Sequence, residues 1–347
     1  MIELLYFIAI ILVIGVVVQV SRVYELVHVL KGGGSKDIVV TEDEGRWNGI
    51  IYILYGLGFF GAYVWLYIDY APFFLPVAAS EHGIEIDRLL DFNFAMINIV
   101  FVITIALLFY FPIKYYFRKG RKALWYPDNH RAEIVLTIIP SVAMIFVIVW
   151  GLKTWNSIFS EPAENAIKME LYARQFDWTA RYAGEDGQLG DFNYRLIGGM
   201  NALGLKADDS KVQDDVLVRG EFHLPVNRAV DFAFRSQEVI HSAYMPHFRA
   251  QMNCVPGMTT RFNFVPNKTT EEMREITGDP EFDFILLCNK ICGVAHYNMQ
   301  MKIIVESQED YDAWIAEQET VAEQEIFADL ESDKRALPDG ALLAAGK

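Results

Sequence analysis

FDFILLCNKICGVAHYNMQMKIIVES, running from Phe282 to Ser307, sets two short apolar runs on either side of a loop crowded with soft metal ligands. The flanking runs, FDFILLC and MKIIVES, have the length and patterning of strands. Between them Cys288, Cys292, His296 and Met299 stand four, four and three residues apart. That spacing is too wide for one tight metal knuckle, but a loop folding back between two strands brings all four side chains together. Thiolate and thioether sulfur favour copper, whereas structural zinc prefers a closed set of cysteines and histidines in closely spaced pairs. Met299 therefore discriminates between the two metals. Each residue also has an ordinary role open to it: a buried cysteine packs as a small hydrophobe, methionine fills core gaps, and a lone histidine usually sits in a core or on a surface. Two of the three cysteines and one of the seven histidines fall within nine residues, however, which independent packing accidents explain poorly.

Outward from this stretch, the same short-period patterning recurs from Ala166 onward. IKMELYARQFDWTARY, AVDFAFRS and TTRFNFVP alternate or run apolar, with Gly, Pro, Asn and Asp between them, and together they predict an all-β sandwich or barrel. Gly184 to Asp209 and Pro266 to Pro280 read as excursions between strands. After Ser307 the pattern turns helical, with Tyr311, Trp314 and Ile315 on one face, before a tail ending ALPDGALLAAGK that is expected to be flexible. Cys254, in MNCVPGM, reads as a small buried residue, and the CxxxC pair by itself leaves disulfide, redox and metal roles open.

Hydrophobic residues make up 53% of the 347 and aromatics 14%, high for a soluble protein. The excess lies in the first 160 residues. Four stretches there are long enough to cross a bilayer, roughly Ile2 to Val20, Trp47 to Tyr67, Phe92 to Phe111 and Ile134 to Trp150. The first lacks a basic leader, and Gln19 to Leu30 continues helically in place of a small-residue cleavage site, so it reads as a retained span. Arg22, Lys31, Lys36 and Arg46 follow span one, and Lys114, Arg118, Lys119, Arg121, Lys122 and Arg131 follow span three, which places both loops in the cytoplasm. Between spans two and three Arg88 is the only basic residue among Asp69, Glu81, Glu85, Asp87 and Asp91. That loop, and everything after Trp155, belongs outside, in the periplasm of a cell with two membranes. The net charge of -15 argues against nucleic acid and for a basic protein partner.

If two metal ions share the two thiolates, a second histidine is needed. His241, in SQEVIHSAYMPHF, is the best candidate, with His247 competing on spacing alone. VIHSAYMPHF, NCVPGM and CNKICGVAHYNMQMKIIVE, in this order, resemble the CuA domain of subunit II of the haem-copper cytochrome c oxidases, and the resemblance runs from about Asp91 to Glu306. It implies a cupredoxin-like Greek-key domain in which Cys288 and Cys292 bridge two copper ions and His241 and His296 each bind one. Met299 and the backbone carbonyl of Lys290 are then the weak outer ligands. NHRAEIVLTIIP resembles the family's second transmembrane helix, which makes Glu133 the counterpart of its carboxylate at the cytoplasmic mouth of a proton path. Without that likeness, Glu133 is an acid in a first helical turn, where the helix dipole favours it.

Two departures stand out. ARQFDW resembles the family segment whose first aromatic receives electrons, but Phe176 and Asp177 stand where the aromatic pair belongs and the usual Trp is absent; electron intake is expected near Phe176 and Trp178, with entry through a different surface residue, or from a donor held more permanently, left open. The family also places a magnesium-binding Glu between the cysteines. Lys290 occupies that position, and no magnesium is expected.

The sequence therefore predicts a four-helix membrane anchor, its last two helices a hairpin, followed by an all-β cupredoxin-like domain. The expected partition is an extension over 1–90, a hairpin over 91–160, a CuA domain over 161–306 and an acidic helical tail over 307–347. By resemblance, it is the electron-accepting subunit of a proton-translocating respiratory oxidase of the cell inner membrane. It takes electrons from a c-type cytochrome, soluble or complex-bound, and passes them to haem in subunit I, where oxygen is reduced. Other oxidase subunits complete the expected partners. A membrane-anchored copper-delivery protein is the rival reading, disfavoured by the lack of βαβ alternation. A quinol oxidase subunit lacks these ligands, and structural zinc has no use for Met299.

Overall fold

The computed structural model describes residues 2–30, 41–122 and 124–325. Four long helices come first: α1 (Ile2–Leu30), α2 (Glu42–Tyr70), α3 (Glu81–Tyr115) and α4 (His130–Ile158). All four are long and apolar enough to cross a membrane. They outrun the apolar windows of the sequence, because polar helix formers extend each one. The acidic loop expected between spans two and three is largely helix, since α3 already begins at Glu81. Local signals fix the starts. Thr41 and Glu44 form a reciprocal cap at α2, the Thr41 hydroxyl accepting from Glu44 N–H at 3.2 Å and Glu44 accepting from Thr41 N–H at 2.8 Å. The Asn129 side chain accepts from Ala132 N–H at 3.1 Å to cap α4.

Beyond α4 the chain folds into two five-stranded sheets. One has the order β3 (Val216–Arg219), β2 (Asp177–Tyr182), β1 (Ile167–Arg174), β5 (Val230–Ser236), β8 (Thr260–Phe264). The other has β4 (Glu221–Pro225), β10 (Gln300–Glu306), β9 (Phe284–Cys288), β6 (His241–Met245), β7 (Ala250–Cys254). The pairs β1–β5 and β4–β10 are parallel and the remaining ladders antiparallel, the Greek-key signature of a cupredoxin-like sandwich. Met169, Leu171, Phe232 and Phe234 of the first sheet share one core with Phe284, Leu286, Ile303 and Val305 of the second.

The strands expected from the sequence are present. β3, β4, β6 and β7 were not legible there: each is four or five residues long, and HSAYM and EFHLP interrupt the apolar pattern with polar residues or proline. Neither excursion is a bare loop. Residues 183–215 lay Leu203, Leu205, Ala207 and Val212 over Tyr172 as a second small core, so β1 is buried on both faces. The other holds α6 (Thr270–Thr277), opened by a capping box between Thr269 and Glu272. A four-residue turn, α5 (Ser210–Gln213), precedes β3. α7 (Gln308–Ala316) buries Tyr311 against the core, as its apolar face foretold, while the tail over 326–347 lies outside the described residues.

The described residues form two compact units, one from residues up to 69 together with 99–128, the other from 70–98 together with the residues from 129 onward. Within the first, Tyr63 meets Phe101 at 5.1 Å and Phe59 meets Phe109 at 5.9 Å. Within the second, the stretch before α3 is stitched to the sandwich. Ala79 N–H donates to the His247 carbonyl at 2.7 Å, Asn267 N–H to the Ala79 carbonyl at 3.0 Å, and the Ser80 hydroxyl to the Phe248 carbonyl at 2.7 Å. Arg249 grips both carboxylate oxygens of Asp87, at 2.8 and 2.9 Å. Arg249→Ala is expected to cost the assembled unit about 2 kcal/mol through these lost charge-assisted bonds, read as a fall in its thermal midpoint.

Candidate metal centre

Strand pairing builds the centre. β6 sits between β7 and β9, which places His241 opposite Cys254 and Ala243 opposite Cys288. Cys288 ends β9, and the loop after it returns through a one-turn helix at 296–298 into β10. Asn289 N–H donates to the Ser242 carbonyl at 2.9 Å and Cys288 N–H to the Met299 carbonyl at 3.0 Å, closing the loop at both ends.

The side chains converge. Sγ of Cys288 lies 3.8 Å from Sγ of Cys292, 3.7 Å from Nδ1 of His241 and 3.3 Å from the carbonyl oxygen of Lys290. Sγ of Cys292 lies 3.6 Å from Nδ1 of His296 and 3.9 Å from Sδ of Met299. Ligand atoms of His241, Cys288 and Cys292 lie within 4.8 Å of one another. His241, both cysteines and Met299 are buried, and His296 is half-buried. Thus the loop brings together all six groups singled out in the sequence. His247 is elsewhere, its ring edge-on to Phe282 and Phe284 at 5.1 and 5.6 Å. Cys254 is a buried thiol pushed up to about 12, burial being the chief cause.

The donor set fits copper. The two thiols, 3.8 Å apart, each stand beside their own imidazole, with the Lys290 carbonyl next to Cys288 and the Met299 thioether next to Cys292. Burial lowers the pKa of His241 and keeps its imidazole in the neutral, metal-binding form, against the opposing pull of Glu238. Burial first, and then the Cys288 thiol beside it, push Cys292 up to about 11, so a metal must displace a proton there.

Residues 69–154 match the transmembrane domain of cytochrome c oxidase subunit II. The alternative cytochrome c oxidase subunit 2 of Bradyrhizobium diazoefficiens is 34% identical over 254 residues, 73% of this chain and 87% of that one. The chain belongs to the cytochrome c oxidase subunit II family. Cytochrome c oxidase subunit 2 of Thermostichus vulcanus is 24% identical over 74% of this chain and 82% of its own length. The solved periplasmic domain of subunit II of cytochrome oxidase from Bradyrhizobium japonicum aligns over 45% of this chain and 95% of its own, with 17% identity and a TM-score of 0.30. This subunit II is therefore a membrane protein and part of an oxidoreductase complex.

Around the ligands, the subunit II loop is held by residues that the sequence pattern did not single out. Gln175 donates from its side chain to the Cys292 carbonyl, and its N–H bonds to Glu238. Gly293 has φ +142°, and a Cβ there would stand 2.7 Å from Phe176 Cζ. The glycine in CGV was the only available signal. Phe176 is half-buried over this glycine. Trp178 is wholly buried, its ring centroid 6.3 Å from that of His241. The Lys290 side chain is exposed while its carbonyl faces Cys288. Ile291, Val294 and Tyr297, at 88, 92 and 87% exposure, form an apolar cap on the loop. Glu133 stands in the first turn of α4, exposed, with His130 Nδ1 3.8 Å from its carboxylate.

Proposed function

We propose that this subunit accepts electrons from a c-type cytochrome at a binuclear copper centre and delivers them to haem in a partner subunit that reduces oxygen and moves protons. The convergence of Cys288, Cys292, His296, Met299 and the Lys290 carbonyl of one loop with His241 of β6 carries this reading. Bound there, a copper pair would supply one-electron redox chemistry shared over two ions.

The chain's own residues do the rest. Cys288 and Cys292, with the imidazoles of His241 and His296 beside them, would hold the two ions. Holding the ligands on a stiff sandwich means that little geometry changes when the charge changes, which keeps the cost of electron transfer low. Met299 and the Lys290 carbonyl tune the two ends. The bond from Gln175 to the Cys292 carbonyl fixes the loop and links it to Phe176, where electrons arrive, and Trp178 backs His241 from inside the core. The lysine ammonium at position 290 takes the place of a magnesium-binding acid, so no magnesium is assigned. In this reading the sandwich faces the periplasm, the helices sit in the inner membrane, and Glu133 opens a proton path at the cytoplasmic end.

Copper analysis of the purified oxidase, together with electron paramagnetic resonance, tests the centre. Two coppers per chain sharing one unpaired electron is the expected result, and a mononuclear copper signal or stoichiometric zinc would overturn it. Gly293→Ala, forced against Phe176 in a backbone conformation that side chains avoid, is expected to lower copper retention by about tenfold while the circular dichroism of the protein stays unchanged. Glu133→Gln is expected to slow turnover with pumped protons by about tenfold or more and leave the copper spectrum untouched, measured in proteoliposomes. Wild-type turnover in that variant removes Glu133 from the proton path.

A further inference from the structure

We propose that the turn after α3 binds the headgroup of an anionic phospholipid. Lys114, Arg118, Lys119, Arg121 and Lys122 fall within nine residues that contain no acid. Three of them, Arg118, Arg121 and Lys122, line a cavity of about 760 Å³ together with Tyr115, Tyr116 and Tyr126. Three of the cations are already ordered by aromatic rings, Lys114 lying 5.0 Å from the Tyr110 centroid. The Arg118 guanidinium lies 4.5 Å from the Tyr116 ring centroid, and that of Arg121 lies 4.9 Å from Tyr115. Arg121 also donates to the Lys114 carbonyl at 2.9 Å.

The turn is seated rather than loose. A Cβ added at Gly45 of α2 would meet the Phe117 carbonyl at 2.8 Å, and one at Gly49 would touch Tyr116 at 3.5 Å. Glu42 is the acid that approaches, and it is engaged by the Lys119 backbone N–H. Among the described residues, no carboxylate pairs with the side chains of Arg118, Lys119, Arg121 or Lys122. Fixed guanidinium forks without anions are the chemistry that recognises a phosphate diester.

Position selects the source of that phosphate. The turn follows directly on a membrane-crossing helix, and Leu124 and Trp125 beside it are 93 and 87% exposed. Aromatic rings flanked by cations at a helix end belong at headgroup depth, where anionic lipid is the available ligand.

The test uses purified, delipidated oxidase titrated with spin-labelled phosphatidylglycerol and, separately, spin-labelled phosphatidylcholine. Each cation near an anionic surface is worth about fivefold in binding, so R118Q/R121Q/K122Q is expected to weaken phosphatidylglycerol binding about a hundredfold and leave phosphatidylcholine unchanged. R118K/R121K keeps the charge and is expected to retain the preference, which separates loss of the site from loss of assembly. If the triple variant does not assemble, R118Q alone serves, with an expected loss of about fivefold. The proposal is overturned by wild-type phosphatidylglycerol binding in the glutamine variants. It is equally overturned if wild-type oxidase has no preference for the anionic lipid, as when a partner subunit covers the turn, or if millimolar inorganic phosphate displaces the label.

Discussion

Cys288→Ser and Cys292→Ser, made separately, are each expected to abolish the shared-copper signal and to slow electron uptake from reduced c-type cytochrome by at least about a hundredfold, since even groups that only support a ligand are worth 10–100-fold. The two sulfurs are 3.8 Å apart, and each touches a different imidazole. In the proposed centre, removing one therefore takes a donor from both metal positions at once. Serine does not compensate. Its hydroxyl is a harder donor than a thiolate and stays protonated at neutral pH, so a soft metal has no reason to remain. The core is undisturbed by so small a change, and the variants should keep the circular dichroism of the parent. Stopped-flow reduction and copper stoichiometry read the result. A serine variant with two coppers and parental kinetics would show that the thiols do not bridge.

The second large effect concerns stability. Arg181→Leu is expected to destabilise the sandwich by about 3–5 kcal/mol, the cost of leaving buried charge without its partner. Arg181 is almost wholly buried and reaches Glu170 at 3.1 Å, Asp215 at 2.8 Å through Nε, and the Gly190 carbonyl at 2.6 Å. Arg235 completes the set: it pairs with Glu170, donates to the Leu203 carbonyl at 3.2 Å and lies 3.4 Å from the Phe192 ring centroid. Burial pushes Glu170 upward, but the two guanidinium groups outweigh it and hold the carboxyl below its ordinary range.

Asp215 goes the other way, lifted by burial to about 7 in spite of Arg181. Its folded value stands above the unfolded one. The stability contributed by its protonated form is thus fully present below about pH 4 and is lost as the pH rises to about 7. The penalty for Arg181→Leu should accordingly be larger at pH 8 than at pH 5, seen as a wider gap between parent and variant melting temperatures. Equal gaps at both values would show that Asp215 does not titrate in this range.

Much of this architecture was legible in the sequence. Hydropathy marked the four helices, because bilayer thickness imposes a run length that few soluble segments reach. The β9–β10 stretch was legible because soft donor residues at fixed spacing lay between two apolar runs. What the sequence hid follows from the same physics. HSAYM carries the candidate ligand His241 on a strand with no apolar alternation, because both its neighbours are strands and His241 itself is buried. No motif in the sequence singled out Glu170, Arg181, Asp215 or Arg235. Glu170, Arg181 and Arg235 are buried under residues 183–215, a segment that itself supplies Asp215, and coverage by another segment leaves no local pattern. Gln175 and Gly293 support the loop from positions with no motif of their own.

The contacts around Ala79, Ser80 and Asp87 bear on distance. At the other end of the sandwich's membrane attachment, Asn263 donates to the Ser160 carbonyl at 3.0 Å just past α4, and Phe159 meets Phe262 at 5.9 Å. A redox domain hung from one strap would swing, and because tunnelling decays exponentially with separation, its fastest excursions would dominate the rate. Suspension from two points removes the pendulum. Under the proposed function, the interval between the loop of Cys288 and an acceptor held beside these helices then becomes a fixed length written into the fold, and the transfer rate a single value rather than an average over poses.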